Sequence, residues 1–202
     1  SSCRQRRSAI VTTMHIEPSE TAFADRYGRG EPQVVWTTLV GDLETPVSAF
    51  LKLGGGKAMS FLLESVEGGA VRGRYSIIGL EPDLIWHANG GKAEVNRAAG
   101  ANGDAFSPCA EPPLQALRAL IAECRIALPD GLPPMAAGVF GYLGYDMVRQ
   151  IEELAAPNLD SIGIPDAILV RPTIIVVFDA VKDSITIITP VRPDKGVDAK
   201  SA

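Results

Sequence analysis

A chain of 202 residues is long enough for one or two domains with a real core, and a composition 46% hydrophobic and 21% charged belongs to folded globular proteins. The formal net charge of -5 leaves no field that would draw in nucleic acid or an anionic membrane, and no apolar run approaches the ~20 residues needed to span a bilayer. Cys3, Cys109 and Cys124 are odd in number and form no C-x-x-C pair, so they suggest neither a disulfide framework nor a zinc site and fit a reducing cytoplasm.

Residues 1–13, "SSCRQRRSAIVTT", carry three arginines and no acid, a superficial likeness to a transit peptide. The composition changes at Met14, so they are read as a disordered extension upstream of the folded part. "VVWTTLV" (34–40) is β-branched and aromatic and predicts a strand. In "TPVSAFLKL" (45–53), Thr45 can cap a helix whose first residue is Pro46, and Gly54 to Gly56 stop it. "FLLES" (61–65) opens as a buried strand, turns through Gly68 and Gly69, and returns carrying Arg72 and Arg74. "LIWHAN" (84–89) and "KAEVNR" (92–97) are joined by Gly90 and Gly91, the residues a tight hairpin turn requires. Small, polar and proline-bearing residues make 98–113 a loop.

A helix is expected to begin near Pro112, with Leu114, Leu117, Ile121, Cys124 and Leu128 as the apolar stripe that covers a sheet. "AAGVFGYLGYD" (136–146) starts extended and closes on a glycine-rich bend, and "MVRQIEEL" (147–154) reads as helical. "AILVRPTIIVVFDA" (167–180) and "SITIITPV" (184–191) are strands joined by a turn at Lys182 and Asp183. Thr173 to Phe178 show no polar alternation, as in a central strand covered on both faces. Hairpin connections dominate, so the fold class is α+β, with antiparallel, sandwich-like sheets and flanking helices.

Most motif-like strings fail on spacing. "LGGGKAMS" lacks the first glycine of a phosphate-binding loop, since Leu51 stands there, and Ala58 replaces the Ser or Thr after Lys57. Gly138, Gly141 and Gly144 fit no dinucleotide fingerprint, and close backbone approach in a sheet accounts for them. His15 and His87 have no acid at ligand spacing and receive no role. Ser60, Ser65 and Ser76 stand in no G-x-S-x-G context, which leaves nucleophilic hydrolysis without a signal.

What remains is the end of the 61–65 strand. Neighbouring strand residues point to opposite faces, so Glu64 and Ser65 share a side only where the strand bends. There Glu64 could accept from an ammonium, Ser65 could donate to a carboxylate and Arg74 could add positive charge, an inventory that suits a zwitterionic amino acid. The plainer arrangement is a cross-strand ion pair of Glu64 with Arg72 or Arg74, with Ser65 bonding the turn backbone.

"FLLESVEGGAVRGRYSIIGLEP" resembles the N-terminal signature of the large, chorismate-using subunit of anthranilate synthase, component I. "EPQVVWTTLVGDLETPVSAFLKL", "AAGVFGYLGYDMVRQIEEL" and "IPDAILVRPTIIVVFDAVKDSITIIT" resemble, in order, further parts of that subunit's N-terminal domain, from about Gly30 to Pro190. Aminodeoxychorismate synthase component I, which shares the fold, is the nearest alternative family. A stand-alone amino-acid-binding regulatory module without catalysis is the alternative of a different class.

The resemblance implies an N-terminal domain over 14–192 and a polar tail over 193–202 leading to a chorismate-binding domain outside this sequence. It implies a lyase that converts chorismate and ammonia to anthranilate and pyruvate with Mg2+, the Mg2+ ligands not being in this chain. The implied partner is a glutamine amidotransferase, component II or a fused equivalent. It further implies feedback inhibition by L-tryptophan, with Leu63, Glu64 and Ser65 in the inhibitor pocket. Arg74 is the closest match to a basic residue nearby, with Arg72 as the other possibility. No catalytic residue carries over, and the implied location is the cytoplasm.

Overall fold

The computed structural model describes residues 14–66, 72–155, 162–194 and 196–202. The extension 1–13, the glycine turn 67–71 and the side chain of Arg72 lie outside the described residues. The elements run β1 (Ile16–Glu17), α1 (Glu20–Gly28), β2 (Gln33–Val40), α2 (Pro46–Leu53), β3 (Phe61–Val66), β4 (Arg72–Asn89), β5 (Lys92–Asn96) and β6 (Ser107–Pro108). Then come α3 (Pro113–Cys124), β7 (Phe140–Leu143), β8 (Ala167–Asp179) and β9 (Ser184–Val191), with short 3-10 turns at Pro134–Ala136 and Tyr145–Gln150. The architecture is α+β, with every strand pairing antiparallel, as the hairpin spacing predicts.

The ladders join into one continuous sheet in the order β1-β2-β9-β8-β4-β5-β6, with β3 on β4 and β7 on β8. Continuity comes from β4, whose 18 residues merge "RYSIIG" and "LIWHAN" into one strand. A proline inside a strand removes a ladder donor, and here Pro82 and Pro172 face each other beside a register shift between Pro82 and Leu84. The Thr173 hydroxyl donates to the Glu81 carbonyl at 2.7 Å, satisfying an acceptor at that break.

Three apolar clusters clothe the sheet. Beyond the break, Leu84, Trp86 and Ala88 of β4 pack under Ala116, Leu117, Leu120 and Cys124 of α3. Before it, Ile78 and Leu80 of β4 join Val176, Phe178 and Ile185, covered by Ala49 and Phe50 of α2. The opposite face buries Val34, Ile175, Val177 and Ile188 against the 126–140 segment. Hydrophobic burial on both faces explains the uninterrupted apolar run of β8.

The structure differs from the sequence reading in three places. The buried stripe of α3 is Pro113, Ala116, Leu117, Leu120 and Cys124, while Ile121 is 44% exposed. Leu128 lies past the helix end, where Arg125 is extended, and packs into the cluster under the 126–140 segment. Residues 147–154, expected to be helical, contain the end of a 3-10 turn over Tyr145–Gln150, after which the chain is irregular; only Met147 of that turn is buried, too little apolar area to hold an α-helix. The structure adds α1, whose start is marked by Ser19, a cap residue whose hydroxyl accepts from Ala22 N at 3.4 Å, and by Glu20 in the first turn.

Candidate functional site

The break that lets Glu64 and Ser65 share a side is present. Leu62, Leu63 and Glu64 pair regularly with Ile78, Ile77 and Ser76, and the register shifts between Glu64 and Val66, leaving Ser65 in the irregularity. Leu62 packs into the cluster beneath α2, and Glu64 follows it on that face. Ser65 is released from strict alternation by the bulge, and both residues line one groove of about 590 Å³ at the end of the α2-covered face. Arg74 and Ser76 of β4, Phe178 and Asp179 of β8 and the first residues of α2 complete its walls. Leu63, which alternates away, does not line the groove and is 48% exposed.

Gly73 shapes the site through the space that its missing side chain leaves. A Cβ built on it would lie 2.0 Å from Ser65 Oγ and 2.3 Å from Ser65 Cβ, so Ser65 occupies the space that any other side chain would need. The hydroxyl position is thus fixed by a glycine across the ladder.

Arg74 does not bridge to Glu64. Its Nε donates to Asp179 Oδ1 at 3.1 Å and Oδ2 at 3.2 Å, its Nη2 donates to Oδ2 at 2.9 Å, and its guanidinium lies 4.8 Å from the centre of the Tyr75 ring. Asp179, only 9% exposed, also accepts from the backbone N–H groups of Val181 at 3.0 Å and Lys182 at 3.3 Å, closing the β8–β9 turn. The hydrogen bonds from Arg74, with those two N–H groups, hold the Asp179 carboxyl below the usual carboxylate range, and the same pair raises Arg74.

Across the groove, Thr45 and Ser48 cap α2 reciprocally, each backbone N–H donating to the other's hydroxyl at 3.1 Å. Glu44 is committed to Lys52 and to the Ser48 hydroxyl, which together lower its pKa. Among the described residues Glu64 and Asp183 are the carboxylates of this groove without an ion-pair partner, Glu64 lying on β3 beside Ser65. The groove therefore offers two unpaired carboxylates, a hydroxyl and a partly satisfied guanidinium.

The sequence reading did not find Asp179 or Gly73. An acid closing an apolar strand ahead of a turn was the available signal for Asp179; the partner of Gly73 lies across a ladder that spacing does not reveal. His87, given no role, has its Nε2 2.9 Å from Glu94 Oε2 and stacks on Phe106 with ring centres 4.5 Å apart. Among the described residues no three His, Cys, Asp or Glu side chains converge as a group that could hold a metal ion. Among them too, no helix is long and apolar enough to cross a membrane.

Comparison with known proteins gives one consistent result. The chain is 48% identical over 181 residues to anthranilate synthase component 1 of Cereibacter sphaeroides, covering 90% of this chain and 36% of that protein. It is 37% identical over 163 residues to the protein of the same name from Thermus thermophilus, covering 81% of this chain and 33% of that one. The corresponding Mycolicibacterium smegmatis protein is 34% identical over 163 residues, covering 80% and 30%. The chain thus spans about a third of the length of the curated relatives it matches. A crystal structure of anthranilate synthase component I from Streptococcus pneumoniae superposes with a TM-score of 0.47 at 22% identity, over 81% of this chain and 32% of that one. No family profile matches the chain.

Proposed function

The chain is a homologue of the anthranilate synthase component 1 proteins over one part of their length, and from that premise we propose that it is the regulatory and scaffolding portion of such an enzyme. The parent protein would convert chorismate and ammonia to anthranilate and pyruvate in tryptophan biosynthesis. It would work in the cytoplasm, use Mg2+ bound by residues outside this chain, and take ammonia from a glutamine amidotransferase partner. The observation that carries the reading is 48% identity over 90% of the chain.

The groove of Glu64, Ser65 and Arg74 is the candidate L-tryptophan site. Glu64 suits an ammonium, and Ser65 and Arg74 suit a carboxylate, the two charged ends of a free amino acid. Inhibition follows by linkage: tryptophan binds one arrangement of the protein better than the catalytic one, and only that difference in affinity can shift the population.

The test uses the full-length protein. Anthranilate release from chorismate and ammonia is followed by fluorescence as L-tryptophan is added, in the wild type and in Ser65→Phe. A phenyl ring at position 65 would project into the groove beside Glu64 and should raise the half-inhibitory concentration, measured against each variant's own uninhibited rate, by about tenfold or more. Unchanged inhibition in Ser65→Phe removes Ser65 from the site. Absence of anthranilate with the wild type removes the enzymatic reading altogether.

A further inference from the structure

A guanidinium has two forks that can grip a carboxylate: one formed by Nε and Nη2, the other by Nη1 and Nη2. Asp179 takes the first, through three contacts of 2.9 to 3.2 Å. Among the described residues Nη1 has no partner, and the Arg74 side chain keeps 45% of its surface exposed while lining the groove. Rotation of the group is opposed twice, by the nearly buried Asp179 carboxylate and by the Tyr75 ring beneath the guanidinium. Asp179 is itself fixed by the N–H groups of Val181 and Lys182, so its position does not depend on Arg74. A long, flexible arginine is thereby turned into a preset fork, and the entropy of ordering it is spent before any ligand arrives.

We propose that Asp179 is a positioning residue of the groove: by holding the inner edge of Arg74 it presents the outer edge to the carboxylate of an α-amino acid. The inference rests on the groove being an amino-acid site and adds the residue that sets its preference for a carboxylate. Asp179 stands in the groove wall and, on this proposal, acts through Arg74.

The hydrogen-bond pattern supplies the variants. Oδ1 accepts both turn N–H groups and one bond from Arg74 Nε, while Oδ2 accepts only from Arg74. Asp179→Asn keeps an oxygen for the turn and puts an N–H2 donor against the guanidinium. Asp179→Ser keeps a short turn-capping oxygen and removes the second acceptor, so one of the two can report if the other fails to fold.

Calorimetric titration of the full-length protein with L-tryptophan and with tryptamine, which lacks the carboxylate, gives the ratio of their dissociation constants. The wild type should favour tryptophan by about tenfold or more, Arg74→Gln should bring the ratio close to one, and the folded Asp179 variants should narrow it at least about fivefold. A merely structural role for Asp179 would weaken both ligands alike and leave the ratio where it was. An unchanged ratio in a folded Asp179 variant, with a collapsed ratio in Arg74→Gln, overturns the proposal and leaves the groove reading standing. Tryptophan binding that is absent in the wild type, or unaffected by Ser65→Phe, overturns the groove reading and the proposal with it.

Discussion

A methyl group at residue 73 has nowhere to go. Gly73→Ala would set a Cβ 2.0 Å from Ser65 Oγ, and relieving that overlap must move Ser65 or open the β3–β4 ladder. The expected cost is about 1–3 kcal/mol in denaturant unfolding, together with weaker binding of tryptophan in the groove. Wild-type stability in this variant would mean that Ser65 has room the structure denies it. Asp179 gives a second test at this scale. Arg74 and the turn N–H groups lower its pKa in the folded state, so the stability it contributes is present above the unfolded value of about 4 and is lost as pH falls through the folded value. Unfolding curves from about pH 6 down to pH 3 should therefore fall more steeply for the wild type than for Asp179→Asn. Parallel curves would show that the ion pair contributes nothing to folding.

At the scale of elements, α3 and β7 carry the sharpest tests. Leu120 is 3% exposed on the buried face of α3 and Ile121 is 44% exposed, so Leu120→Ala should cost about 2–5 kcal/mol and Ile121→Ala under about 1. The reverse order would restore the stripe read from spacing. That reading chose Leu114, Leu117 and Ile121 because a run rich in leucine and isoleucine satisfies two helical faces at once. Ala116, whose small side chain fits against the sheet, could not be told from a surface alanine. At β7, a Cβ on Gly141 would meet the Ile168 carbonyl oxygen at 1.9 Å, an atom of the neighbouring backbone that cannot step aside. Gly141→Ala should unpair β7 from β8, and amide exchange at residues 140–143 should rise while the β4–β8 core stays protected. Strands, the Gly90 turn and the capped α2 were legible because each is written in adjacent residues. The bend at Glu64 and Ser65 is expected from the sequence, but the register shift that makes it, like the fusion of two predicted strands into β4, is settled by what lies across a ladder.

At the scale of the whole molecule, a continuous sheet built on two long strands carries a groove at one end and leaves large apolar side chains in water. Leu43 is 91% exposed, Tyr145 84%, Val40 78% and Ile151 75%. On the proposed reading the remainder of a longer chain covers such surface, so the isolated 202 residues should bind an apolar dye strongly and aggregate on warming, and the full-length protein should do neither. Equal dye binding by both would detach these side chains from any covered interface. The candidate site was legible in part: Glu64, Ser65 and Arg74 do share a groove, Leu63 stands outside it, and the ion pair forms with Asp179, 105 residues away in sequence, where no local pattern points. The most direct measurement is a crystal structure of the full-length protein grown with L-tryptophan. The amino acid is expected in this groove, its ammonium at Glu64 and its carboxylate on the outer edge of Arg74 beside Ser65. Tryptophan bound elsewhere, with the groove empty, would contradict it.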